Sequence, residues 1–162
     1  MRNIMISLSL GLICLFYPYI ATACSCYDAG KFVDYVAGGK AIKGRVISYG
    51  DKLSHGETLY VSMHVEVIDV VKGEFKPKHV VFLGDPGDLC RDYVDSTRFK
   101  LGDEFLFAVY GDEKTLELGG CGESSISIKD GKVHGVDWVD YEPVAYEINY
   151  DEFIEILNSP KK

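Results

Sequence analysis

The chain has 162 residues, 47% of them hydrophobic, with 17 Lys and Arg against 25 Asp and Glu for a formal net charge of −8. Length and composition suit one domain with a hydrophobic core. The acidic balance argues against nucleic acid and against anionic lipid as partners.

Arg2 and Asn3 give a short positive start, Ile4 to Ile20 is almost wholly apolar, and Ala21-Thr22-Ala23 has the small-x-small form of a cleavage site. Residues 1–23 are therefore expected to be a signal peptide, leaving a single exported domain over residues 24–162, secreted or periplasmic. Of five cysteines, Cys14 lies in the signal core, so the mature chain holds Cys24, Cys26, Cys90 and Cys121. An even number in an exported chain reads as two disulfides. Cys24 and Cys26 are too close to bridge each other without strain, so two pairings stay open. Both staple the new N-terminus to two distant segments, and a chain end held in this way does not fray.

The apolar spacing of Phe32, Val33, Tyr35, Val36 and Ala37 predicts a short helix from about Ala29 to Ala37, stopped by Gly38-Gly39. Ala41–Tyr49 reads as a strand and Gly50–Gly56 as a polar loop. Leu59–Val71 alternates over a long distance, with Leu59, Val61, Met63, Val65 and Val67 on one face and Tyr60, Ser62, His64, Glu66 and Ile68 on the other, which predicts one long half-buried strand. Lys72-Gly73-Glu74 turns the chain into a strand from Lys78 to Leu83, and Gly84–Asp88 is a turn that delivers Cys90. Asp92–Lys100 is expected to be a surface loop, Gly102-Asp103 a turn, and Glu104–Tyr110 the most apolar strand, with Leu116–Leu118 pairing back on it. Ser125–Ile128 and the run from Val133 form a hairpin whose Asp130-Gly131 favours a type I′ turn. A helix capped by Asn149 or Asp151 follows, with Phe153, Ile154, Ile156 and Leu157 as its apolar face. Strands at short intervals with one early and one late helix predict a mainly β fold, a small closed β-barrel.

His55, His64, His79 and His134 have no metal-ligand spacing, no carboxylate pair stands in a catalytic frame, and Ser124-Ser125 lacks a nucleophile elbow. The sequence calls for no enzyme activity and no cofactor. A Cys24/Cys26 redox pair has no thioredoxin-like βαβ pattern around it. Tyr27, Phe32, Tyr35, Tyr93 and Phe99 divide between core and rim.

Cys24-Ser25-Cys26, the strand with Gly44-Arg45-Val46, the strand ending Val70-Val71-Lys72-Gly73-Glu74, Cys90 ahead of Phe99-x-Leu101-Gly102, the apolar Phe105–Val109 and Cys121-Gly122 together resemble the N-terminal domain of the tissue inhibitors of metalloproteinases. That domain is a netrin-like module with an OB-fold barrel, and the resemblance covers most of residues 24 to about 125. It implies disulfides Cys24–Cys90 and Cys26–Cys121, and inhibition of a zinc metalloprotease. The α-amine and carbonyl oxygen of Cys24 would chelate the catalytic zinc of the protease at the position otherwise held by water. An α-amine titrates near roughly pH 8, so an appreciable fraction is neutral at physiological pH. The implied inhibitory edge is Cys24, Ser25, Cys26 and Tyr27, with Ser25 directed at the specificity pocket and Asp88, Leu89 and Arg91 alongside. Tyr27-Asp28 stands where the family has a small apolar residue and proline, and the single domain is closer to the short bacterial relatives. Ile20-Ala21-Thr22-Ala23-Cys24 also fits a loose lipobox. Lipidation would acylate the Cys24 amine and anchor the chain to a membrane, giving a non-inhibitory envelope lipoprotein or protein-interaction module instead.

Overall fold

A computed structural model describes residues 31–37, 39–87, 91–110, 114–119, 123–139 and 142–159. The expected signal peptide, the four mature cysteines, Ser25, Tyr27, Asp88 and Leu89 lie outside the described residues. Among the described residues the fold is mainly β with two helices: α1 (Phe32–Tyr35), β1 (Lys40–Tyr49), β2 (Leu59–Tyr60), β3 (Ser62–Lys72), β4 (His79–Leu83), β5 (Val94–Asp95), β6 (Glu104–Val109), β7 (Thr115–Glu117), β8 (Ser125–Lys129), β9 (Lys132–Val139), β10 (Glu142–Asn149) and α2 (Tyr150–Asn158).

Eight strands form one sheet in the order β10-β9-β8-β6-β1-β3-β4-β7, while β2 and β5 pair separately. All neighbours in the large sheet are antiparallel except β4 and β7, which run parallel. Among the described residues the sheet ends on β7 and β10 and its strands form no closed ring.

Two cores lie on opposite faces of β1 and β6. Ile42 and Val46 of β1 with Phe105 and Phe107 of β6 face a cluster that includes Met63, Val65, Phe82, Phe99 and Leu116. Ala41, Leu106 and Ala108 face the other way, onto Phe32 and Val36 around α1, Phe153 and Leu157 of α2, and Ile126 and Val133 of the hairpin. A strand buried on both faces reads as a continuous apolar run, which is why Glu104–Val109 has no polar face.

The β1–β3 register skips Val71, Ile68 and Ile47 in turn. Each extra residue bends and twists the pair, so the sheet curls around the first core. Gly44 makes that curl possible. A Cβ there would overlap Val65 Cγ1 and lie 3.4 Å from Phe107 Cε2, and Val65 and Phe107 are both fully buried. Outside the curl, Arg45 Nη2 donates to Glu104 Oε1 at 2.7 Å and Lys43 Nζ lies 2.8 Å from Glu104 Oε2.

The strand expected over Leu59–Val71 is divided. Leu59 and Tyr60 pair with Asp95 and Val94 inside the expected Asp92–Lys100 loop, while Val61 donates to the Asp51 carbonyl at 2.8 Å. The division also breaks the expected alternation where it occurs, leaving Ser62 buried and Val61 exposed, while Ile68 on the opposite face is exposed. Helix α1 is shorter than expected over its described part, because Lys31 gives no side-chain cap and Val36 already leaves helical geometry. The segment expected to pair back on Glu104–Tyr110 instead makes its ladder with β4, keeping one hydrogen bond from Glu117 N to the Tyr110 carbonyl. The hairpin is as expected: Lys129 pairs with Lys132, and Asp130 and Gly131 both have positive φ, 52° and 74°. Asn149 caps α2, its Oδ1 accepting from Asp151 N at 3.0 Å. Ile156, expected on the apolar face, is exposed.

Gly44→Ala is expected to cost about 1–3 kcal/mol by overpacking, seen as a lower urea midpoint with an unchanged slope, and part of the loss should return when Val65→Ala is added. Hydrogen bonds from Lys43 and Arg45 hold the Glu104 carboxyl below its ordinary 4.5. A depressed folded value means that this contribution is complete above 4.5 and fades as pH falls through the lower folded value. Glu104→Gln should therefore flatten the acid limb of the stability profile in denaturation curves collected from pH 6 down to pH 2.

Candidate functional site

Of the expected inhibitory edge, Arg91 is the described member. It forms an antiparallel bridge with Gly119, and the pairing continues through Asp92 N to the Leu118 carbonyl at 3.2 Å. The guanidinium of Arg91 is hydrogen-bonded to Glu117 Oε1 across the same pair. Two segments far apart in sequence, one leaving Cys90 and one leading to Cys121, are thereby laid side by side.

The Arg91 segment is fixed to the rest of the fold by close backbone approach. Asp85 N donates to the Asp92 carbonyl at 3.0 Å, and Gly84 comes so near that a Cβ would lie 2.8 Å from Val94 N. Asp85, itself buried, accepts the Gly87 amide on Oδ1 at 2.6 Å and closes the Asp-Pro-Gly turn ahead of residue 88. Gly87 has φ 125°, a value a side chain rarely tolerates.

Helix α1 is moored to the partner segment. Tyr35 Cε1 lies 4.0 Å from the Cβ position of Gly119, the Tyr35 and Tyr110 rings meet edge to face with centroids 6.1 Å apart, and Tyr110 Oη donates to the Tyr35 carbonyl at 2.9 Å. Burial, with Tyr35 close by, pushes the Tyr110 phenol up to about 12, so it remains a donor through the physiological range. The start of the described chain is thus held against the segment that leads to Cys121.

Two residues beside this edge carry no signal in the sequence for that role. His55, in the loop after β1, meets the Tyr93 ring with centroids 6.0 Å apart and lies 3.6 Å from the Cβ position of Gly87. Tyr93, singled out as a core or rim aromatic, is 38% exposed and thus on the rim. Together they form an exposed aromatic step beside Arg91. Phe32 and Phe99 are fully buried.

A separate cleft of roughly 600 Å³ opens where the β8–β9 turn, the start of β6 and the start of α2 meet. Lys43 reaches into it, 5.0 Å from the Tyr150 ring centroid, but is already paired with Glu104. None of the described residues lining it belongs to the expected edge. Among the described residues no group of three His, Cys, Asp or Glu is arranged to hold a metal ion, and no helix is long and apolar enough to cross a membrane.

Tyr110→Phe removes the hydrogen bond that moors α1 and is expected to cost about 0.5–1.5 kcal/mol. Hydrogen exchange at the Val36 amide, bonded to the Phe32 carbonyl at 3.2 Å, should speed up more than exchange at the centre of β6.

No family model, curated protein or solved structure matches the chain.

Proposed function

We propose that the chain is an exported, disulfide-stapled module of the netrin-like, OB-fold type that inhibits a zinc metalloprotease through the amine and carbonyl of Cys24. The observation that carries the reading is the Arg91–Gly119 bridge. It sets the flanks of Cys90 and Cys121 next to each other, as two disulfides to neighbouring positions of one strand require. Alternate residues of an extended strand stand about 6.7 Å apart and paired strands about 4.8 Å. In this proposal Cys24 and Cys26 lie against the Cys90 and Cys121 segments at spacings of this size, which match the 4.4–6.8 Å Cα separations that disulfides need. Four residues lie between Cys26 and Lys31, so five Cα-to-Cα steps give a reach of up to about 18 Å, and α1 is packed on the Gly119 segment.

The barrel part of the reading rests on the succession β6-β1-β3-β4-β7. Its two terminal strands approach each other where Glu117 N donates to the Tyr110 carbonyl, and the bulged β1–β3 pair supplies the curl. A five-stranded, partly open Greek-key barrel has this character. On this reading Arg91 and the His55–Tyr93 step flank the N-terminal edge, with Asp88 and Leu89 expected alongside.

Signal removal at Ala23 with two disulfides predicts that the exported protein, analysed without reduction, begins at a free Cys24 and weighs four hydrogens less than its all-thiol form. A diacylglyceryl or acylated Cys24 ends the chelation reading and leaves an envelope-anchored netrin-like module. With a free Cys24, the mature protein should inhibit a zinc metalloprotease, and one alanine added ahead of Cys24 should abolish inhibition without moving the thermal melt. Equal inhibition by the extended form would refute chelation by the terminal residue.

A further inference from the structure

β10 pairs with β9 along its whole length, from Glu142↔Val139 to Asn149↔Lys132. β8 pairs with β9 only as far as His134, so the β9–β10 pair continues as a two-stranded ribbon. Where β8 falls away, the Glu123 carboxylate takes its place, accepting the Val136 amide on Oε1 and the Tyr146 hydroxyl on Oε2 at 3.0 Å. Beyond that point Glu142, Pro143, Val144 and Ala145 are all exposed, Val144 by 48%. Val136, opposite Ala145, is also exposed.

A two-stranded ribbon is marginal in water and gains most from a third strand. Among the described residues the outer edge of β10 has no strand beside it. Natural edges are blunted by inserted lysines, prolines or bulges. β10 carries no lysine and its β9 register has no bulge, so past Pro143 the edge from Val144 to Ile148 is uninterrupted.

Charge selects the occupant. Between Lys132 and Lys161 the chain has seven carboxylates and neither Lys nor Arg. Glu147 is already matched by Lys132 and His134, whereas Glu142 and three acids of α2 are exposed. A second copy on this edge would bring two acidic ribbons together, a like-charge arrangement that disfavours pairing. We propose that the edge of β10 from Val144 to Ile148 takes up an extended, lysine- or arginine-bearing segment of another protein as the ribbon's third strand. Backbone hydrogen bonds would supply register and the surrounding carboxylates the selectivity.

The test uses the isotopically labelled mature protein and a ten-residue peptide of alternating valine and lysine, with a control carrying glutamate for lysine. The expected result is amide shift changes confined to β9 and β10, slowed exchange at Ala145 and Glu147, whose amides point away from β9, binding that weakens with salt, and at least about tenfold weaker binding of the glutamate peptide. Glu142→Lys with Val144→Lys, both on exposed side chains, should weaken the lysine peptide by about tenfold with an unchanged melting curve. Equal binding of both peptides, shifts outside the ribbon, or full affinity in the folded double variant would overturn the proposal. So would concentration-dependent dimerisation that protects β10 amides without peptide, because the edge would then belong to a second copy.

Discussion

The fold depends on β1 being paired along both edges, with Ile42 and Val46 buried in one core and Ala41 in the other. β3 lies on one side and β6 on the other, one core is enclosed by the curl and the second is covered by the two helices. A strand so held must keep its pairing on both edges and tolerates little change of volume at its buried positions. Gly44 is the point at which both demands meet, since any side chain there would collide with Val65. The charges on either side of it, Lys43 and Arg45, converge on Glu104 at the start of β6, so an ion network on the outside follows the same pairing that organises the inside.

The candidate edge is a secondary product of this arrangement. Because β6 runs opposite to β4 and β7 lies parallel to β4, strands β4 and β7 end at the same side of the sheet, and the Arg91 segment that leaves β4 meets there the segment that leaves β7. Its pairing with Gly119, the buried Asp85 turn and the Tyr35–Tyr110 contact fix backbone rather than side chains. A docking edge needs that kind of support, because its geometry must be set before a partner arrives.

Much of the fold was legible wherever one face of an element is buried. Asp130-Gly131 between alternating strands, Asn149 ahead of an amphipathic run, and the apolar Glu104–Val109 each carry a local signal that the tertiary structure does not override. The bulges of β3 do not, because the extra residues Val71 and Ile68 are β-branched and fit the alternation by type while breaking it in space. Strand β10 lies in the run from Val133 that the sequence leaves undivided, since Val144, Tyr146 and Ile148 alternate but Pro143 interrupts the pattern ahead of them. The parallel partner of β7 has no sequence signal at all, being fixed by long-range topology. At the site, Arg91 could be anticipated from its neighbour Cys90, whereas His55 reaches Tyr93 only through the course of the β1–β2 loop.

The strand order also bears on how the molecule is reached from an unfolded chain. β1 meets β3 early in the sequence but must wait for β6 across the whole β4–β6 connection, and β4 must likewise wait for β7. Closing such loops costs entropy before any contact rewards it, and topologies rich in distant pairings fold in milliseconds to seconds rather than microseconds. During synthesis the Lys40–Tyr49 strand therefore has one edge of unpaired N–H and C=O groups open until Val109 has emerged, and over that interval it is exposed to pairing with other chains.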